Sequence, residues 1–155
     1  MQFGMLPLNF LASDRQADYV DTGSWTNKAI QDASKVGQMH TAWSGKDAGY
    51  QRIPTPSEIQ WSDNAAYAHY CTNNTIYGTM WAQPPAARGW LINDASSEMF
   101  SRPIDWSRHD VVYAGAQKNL GPSGVTLVII RKALLECINE HMPSMFRFDL
   151  HAKNG

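Results

Sequence analysis

Apolar positions along this chain follow two rhythms. Between Ser24 and Gly37 they fall at Trp25, Ala29, Ile30, Ala33 and Val36, spaced by four, one, three and three. That spacing lays one apolar stripe along a helix, with Ser24 as its N-cap and Gly37 as its C′ stop. Elsewhere the apolar residues crowd into short runs. "ADYVDTGSW" (17–25) reads as a strand ending in a glycine turn, and "AAYAHYC" (65–71), "WLIND" (90–94) and "VVYAGA" (111–116) read as further strands. "VTLVIIR" (125–131) carries the strongest strand signal, being nearly continuous and β-branched. "KALLECINEHM" (132–142) returns to a helical rhythm that Pro143 ends. The segments 44–57 and 82–89 are Gly-, Pro- or Ser-rich connections, and "TNNTIYGT" (72–79) is turn-like before resuming as strand.

Connector lengths set the topology. Only residues 117–124 separate the strand ending at Ala116 from the one starting at Val125. A parallel crossover takes about a dozen residues or more, so these two strands must pair antiparallel. The stretch from Asp94 to Asp110 is long enough to join two parallel neighbours. The expected fold class is therefore α/β, with a mixed, mostly parallel sheet and buried central strands.

Composition changes this picture only by exclusion. A hydrophobic share of 43% against 17% charged suits a folded chain rather than a disordered one, and 155 residues fit one domain. A net charge of −1 offers no attraction to nucleic acid or to a membrane surface. Cys71 and Cys137 are far apart and form no metal-spacing motif, which suits reduced thiols in a cytoplasmic protein. No apolar run approaches the ~20 residues of a membrane span, and no stretch reads as a signal peptide.

In open α/β sheets ligands sit beyond the carboxyl ends of the strands. Asp94 ends one predicted strand, Lys118 lies just past another, and Thr75 follows a third. A carboxylate, a lysine and a hydroxyl converging there suit pyridoxal phosphate. The lysine forms an imine with the aldehyde, and the carboxylate keeps the pyridine nitrogen protonated. Each residue has a plainer role open to it: a solvated turn lysine for Lys118, a helix or turn cap for Asp94, a turn hydroxyl for Thr75, helix core for Trp25, a surface amide for Gln117. His69 sits in a strand as a core or rim residue, while His40, His109, His141 and His151 show no ligand spacing. "GPSG" (121–124) lacks the lysine and spacing of a phosphate-binding P-loop.

Longer motifs narrow these alternatives. "YAGAQKNLGPSGVTLVIIR" (113–131) resembles the cofactor-lysine segment of phosphoserine aminotransferases. "SRPIDWSR" (101–108), "INDASS" (92–97), "SDNAAYAHYCTNNTIYG" (62–78) and "ADYVDTGSW" are similar to further segments of that family, in the same order. The resemblance implies pyridoxal-phosphate-dependent fold type I architecture and a homodimer with active sites at the subunit interface. It implies amino transfer between glutamate and 3-phosphohydroxypyruvate, giving phosphoserine and 2-oxoglutarate, for serine synthesis and, in many bacteria, pyridoxine synthesis. By motif match Lys118 carries the imine, Gln117 and Thr75 contact the cofactor, Asp94 partners the ring nitrogen, and Trp25 stacks on the ring. Another aminotransferase or desulfurase of the same fold type, and a non-catalytic segment that only pairs with a partner chain, are the competing expectations.

Ala95, Tyr77 and Trp106 depart from the family pattern without removing a reacting group. Length departs further, family members being more than twice as long. Residues 1–155 are therefore expected to be part of the large, cofactor-binding domain, without the small C-terminal domain, the phosphate-holding glycine segment or the substrate-binding arginines. Taken alone they are expected to be weakly active or inactive, with an exposed dimer face and poor solubility.

Overall fold

The β-branched and aromatic runs become strands, because such side chains pack well on a pleated surface. In the computed structural model, which describes residues 1–154, the chain begins with α1 (Gln2–Phe10), β1 (Gln16–Asp21), α2 (Ser24–Ala33) and β2 (Gln38–Ser44). It continues through β3 (Ala65–Cys71), the short β4 (Asn73–Asn74) and β5 (Thr79–Met80), β6 (Trp90–Asp94), β7 (Val111–Gly115), β8 (Thr126–Ile130) and α3 (Phe148–Lys153). Six strands form one sheet in the order β2-β1-β3-β6-β7-β8, and β4 pairs with β5 in a separate ribbon. Neighbours in the large sheet run parallel except β7 and β8, which pair antiparallel from Val111↔Ile130 to Gly115↔Thr126. The mixed, mostly parallel α/β sheet expected from connector lengths is the one observed.

Alternation along each strand divides the core between the two faces. Tyr19, Tyr67, Ile92, Val111 and Tyr113 pack under a layer that includes Met5, Leu6 and Phe10 of α1 with Leu134, Ile138 and Phe148. Val20, Ala68, Tyr70 and Leu91 meet Ile59 and Trp81 from the connecting segments on the other face. β3 is buried along its whole length, as a central parallel strand should be. Because β1, β3, β6 and β7 run the same way, Asp21, Cys71, Asp94 and Gly115 end at one edge of the sheet.

Several elements differ from the pattern reading. α1 is hidden in the sequence by Gly4 and Pro7, two poor helix formers. Asn9 supports it, donating from Nδ2 to Met5 O at 2.8 Å. The N-cap of α2 is Gly23 rather than Ser24. Thr26 Oγ1 accepts from the backbone N–H groups of Thr22 and Gly23, each at 3.0 Å, so a hydroxyl inside the first turn does the capping. The same helix ends at Ala33, and Gly37 has no left-handed φ. Its missing side chain instead admits Leu11, whose Cδ2 would lie 2.6 Å from a Cβ there.

Residues 132–142 do not form the expected helix. A 3₁₀ turn covers Lys132–Cys137, then the chain extends. Leu134 and Ile138 are buried, and Asn139 N–H donates to Asn9 O at 3.3 Å, so tertiary anchors replace a further turn. β8, despite its apolar run, is the outer strand, with Ile129 and the preceding Val125 exposed. β2 and α3 carry no clear sequence pattern. Among the described residues no helix is long and apolar enough to cross a membrane.

Candidate functional site

A pocket of about 230 Å³ opens at the carboxyl edge of the sheet, on the face that α1 covers. Trp25, Asp94, Gln117 and Lys118 all line it, together with Phe3, Cys71 and Tyr113 among others. Local structure explains how each arrives. β6 stops at Asp94, and β7 stops at Gly115, after which the chain leaves the sheet and presents Gln117 and Lys118. Trp25 sits in the first turn of α2, and Thr75 lies at the tip of the β4–β5 ribbon.

Lys118 is exposed, as a turn lysine should be, yet its ammonium is directed into the pocket. Nζ donates to Thr75 Oγ1 at 2.9 Å and lies 5.5 Å from the centroid of the Trp25 ring. Thr75 thus meets the lysine without lining the pocket itself. The loop carrying the lysine is braced at three points. Ala116 N–H donates to Val125 O at 3.0 Å, Gly121 N–H to Ala116 O at 2.8 Å, and Asn119 Nδ2 to Met99 O at 2.6 Å. Gly124, at φ 103°, supplies the turn conformation that side chains avoid.

Asp94 is a buried carboxylate, 5% exposed. Its Oδ1 accepts from Ser96 N–H at 3.0 Å and from Ser96 Oγ–H at 2.6 Å. Ser96 Oγ also accepts from Gly115 N–H at 3.0 Å, so one serine ties the ends of β6 and β7 together. Burial pushes the Asp94 carboxyl above its ordinary range, while the Ser96 bonds and the charge of Lys118 pull the other way. The capping role read from the sequence is therefore present alongside the pocket position. A carboxylate that is costly to ionise here gains most from a cationic or N–H⁺ partner entering the pocket.

The turn before Trp25 has its own support. Asp21 Oδ2 accepts from Ser44 Oγ at 2.9 Å and Tyr50 OH at 3.0 Å, and its Oδ1 accepts from Thr26 Oγ1 at 3.1 Å. Asn74 Nδ2 donates to Thr22 Oγ1 at 2.7 Å, which fastens the ribbon bearing Thr75 to the turn bearing Trp25. Tyr77 packs on Tyr50 with ring centroids 4.7 Å apart, and its hydroxyl meets Ser24 Oγ at 3.2 Å. The Trp25 indole Nε1 is buried with no hydrogen-bond partner among the described residues. Asp21, Asn74, Ser96 and Asn119 escaped sequence reasoning. Ser96 left a signal in the Asp-x-Ser spacing of an Asx turn, as Asp21 did in Asp-Thr-Gly.

His69 is a buried core residue, as expected. Both cysteines are free thiols, Cys71 buried and Cys137 exposed. Among the described residues no group of three or more His, Cys, Asp or Glu could hold a metal ion.

Residues 2–149 match the family model for class-V aminotransferases. The chain is 49% identical over 155 residues to a phosphoserine aminotransferase of Herpetosiphon aurantiacus, covering 99% of this chain and 43% of that protein. It is 48% identical to the phosphoserine aminotransferase of Lysinibacillus sphaericus, covering 100% of this chain and again 43% of the relative. A solved phosphoserine aminotransferase from Bacillus circulans subsp. alkalophilus superposes with a TM-score of 0.95 at 47% identity, over 99% of this chain and 43% of that one. A pyridoxal-phosphate-bound phosphoserine aminotransferase from Trichomonas vaginalis superposes with a TM-score of 0.87 at 33% identity, over 99% of this chain and 44% of that one. The chain thus spans less than half the length of the relatives it matches.

Proposed function

This chain belongs to the class-V aminotransferase family, and we propose that it is the cofactor-binding core of a pyridoxal-phosphate-dependent phosphoserine aminotransferase. The proposed reaction moves an amino group between glutamate and 3-phosphohydroxypyruvate, in serine synthesis and, by the same chemistry on a related phosphorylated substrate, in pyridoxine synthesis. We place the enzyme in the cytoplasm as a homodimer, with substrate-binding arginines outside these residues. The observation that carries the reading is the convergence at one strand edge of Lys118, bonded to Thr75 at 2.9 Å, with Asp94 and Trp25.

The residues present fit the cofactor. Trp25 offers a flat wall, and its orphaned indole N–H is a donor awaiting an acceptor. Asp94 is a buried carboxylate short of a cation, which a protonated pyridine nitrogen would supply. When bound, pyridoxal phosphate supplies an electron sink that stabilises a carbanion at the substrate carbon. Lys118 Nζ is the amine that would hold its aldehyde carbon, with Gln117 beside it on the pocket wall and Thr75 bonded to the lysine as the groups that would support it. When not so engaged, Lys118 Nζ would be the base placed to take a proton from the substrate carbon and give it back. The 2.9 Å bond to Thr75 holds that nitrogen at the pocket. Asp94, fixed through Ser96, is a preoriented carboxylate that would stabilise positive charge on the ring nitrogen.

The test is spectroscopic first. Protein from the reading frame that carries this chain, mixed with pyridoxal phosphate, should show a visible band that borohydride bleaches and Lys118→Ala abolishes. The same preparation should transaminate 3-phosphohydroxypyruvate with glutamate. A band without that activity would point to another member of the family. A folded protein with no band would leave the non-catalytic reading standing.

A further inference from the structure

The connection between Asp94 and Asp110 carries a motif, "SRPIDWSR" (101–108), that does not line the cofactor pocket. Its first arginine joins three parts of the chain. Arg102 Nε donates to Glu98 Oε1, Nη1 donates to Ala82 O at 3.1 Å, and Nη2 donates to Trp81 O at 2.5 Å. Glu98 is buried and lies in the turn that follows Asp94. Trp81 and Ala82 lie just past β5, at the base of the ribbon whose tip bears Thr75. One planar guanidinium thus fastens the ribbon to that turn through all three of its nitrogens.

The same turn reaches the loop that carries Lys118. Met99 is fully buried in a cluster with Ala95, Val112 and Ala114, and Leu120 packs against that cluster. The Met99 carbonyl accepts from Asn119 Nδ2 at 2.6 Å. Both residues that follow Lys118 are therefore held by the turn, one by a hydrogen bond and one by apolar contact. The next residue, Phe100, has φ 64°, a left-handed conformation that bulky side chains avoid. Its side chain is 68% exposed, so its own packing does not hold that conformation. Its neighbours do. Met99 is anchored in the core, Ser101 N–H donates to Glu98 O at 2.8 Å, and Arg102 grips the Glu98 carboxylate. Strained backbone persists where the surrounding contacts over-determine it. Here those contacts are the ones that aim the Met99 carbonyl at Asn119.

We propose that Arg102 is a positioning residue for Lys118. Through Glu98 and Met99 it fixes the loop bearing the lysine, and through Trp81 and Ala82 it fixes the ribbon bearing Thr75. The 2.9 Å bond between Lys118 and Thr75 is then set from both ends. This proposal rests on the reading of Lys118 as the cofactor amine, but the linkage itself is a property of the protein alone.

The test is a double-mutant cycle in the protein carrying this chain. Arg102→Lys keeps a positive charge beside buried Glu98 but cannot reproduce the three-pronged fork. Asn119→Ala cuts the loop from the Met99 carbonyl. In cofactor-free protein each substitution should speed amide hydrogen exchange at residues 117–121 by roughly fivefold, the order of one hydrogen bond. With pyridoxal phosphate added, each should also move the pH midpoint of the visible band, because the surroundings of Lys118 Nζ change. An arginine that only stabilised the fold would lower the urea midpoint and leave the band where it was. The two effects on exchange should not add, since both act through the Met99 carbonyl. A folded Arg102→Lys protein with parental exchange at these residues, or with the parental band, overturns the proposal, and so does full additivity. Asn119→Ala leaves Glu98 paired and decides the matter if Arg102→Lys does not fold: parental exchange and band in that variant overturn it as well. A parent protein that shows no visible band refutes the reading of Lys118 instead, while the exchange cycle still decides the linkage.

Discussion

Gly23→Ala tests the joint between the two halves of the pocket wall. Gly23 caps α2 two residues before Trp25, in extended backbone that alanine adopts freely, so no conformational strain arises. The cost comes from space. A Cβ at this position would lie 2.5 Å from Asn74 Oδ1 and 3.0 Å from both Asn74 Cγ and Tyr77 Cδ2. Asn74 is not free to swing aside, because its Nδ2 holds Thr22 Oγ1 at 2.7 Å in a buried position. Overpacking of this kind costs about 1–3 kcal/mol. Giving up the Asn74 bond adds about 1 kcal/mol. A loss of roughly 2–4 kcal/mol is therefore expected in equilibrium urea unfolding. Cofactor affinity should fall with it, since Trp25 and Thr75 both hang from this joint. Gly4→Ala is the matched control. It lies inside α1 with no heavy atom within 4 Å of the added carbon, so the same substitution should stabilise by up to ~1 kcal/mol and leave affinity unchanged. If Gly23→Ala were as stable as Gly4→Ala and bound cofactor as well, the claim that Asn74 and Gly23 interlock would be wrong.

Asn9 is the second structural test. Its Nδ2 donates to Met5 O and Phe146 O, each at 2.8 Å, and its Oδ1 accepts from Phe148 N–H at 3.1 Å. Asn9→Ala leaves the buried Phe148 N–H unpaired, so a destabilisation of about 2–3 kcal/mol and faster proteolytic cutting within 139–147 are expected; a protease pattern like that of the parent protein would refute the tether. His69 predicts a pH dependence. Burial pushes its pKa from 6.5 down to about 3, so below pH 6.5 the unfolded chain takes up a proton that the folded one refuses. Its contribution is therefore complete above pH 6.5 and is lost as pH falls, by ~1.4 kcal/mol per unit, or about 2 kcal/mol at pH 5. The unfolding free energy, measured in urea at pH 7.5 and 5.0, should fall by about 2 kcal/mol less in His69→Gln than in the parent protein; equal falls in the two would refute it.

The strands of the central sheet were legible because their signal is local. β3, β6 and β7 are dense runs of β-branched and aromatic residues, and the eight-residue connector after Ala116 forced β8 to turn back. Elements whose formation depends on distant support were missed or misread. α1 contains Gly4 and Pro7 and is steadied by Asn9; the segment after Lys132 stops short because Leu134, Ile138 and Asn139 are each claimed by other parts of the chain. A helical rhythm states only what a segment would do alone.

The site divides along the same line. The sequence by itself determined the candidate groups: Lys118 past one strand, Asp94 at the end of another, Trp25 opening a helix, all inside motifs a few residues long. Tertiary structure decided what holds them. The Lys118–Thr75 bond spans 43 residues and Asn74–Thr22 spans 52. Each of these partners is an ordinary polar residue whose neighbours in sequence say nothing of its contact. Strand order brings them within 3 Å of each other, and burial makes each bond costly to leave unmade.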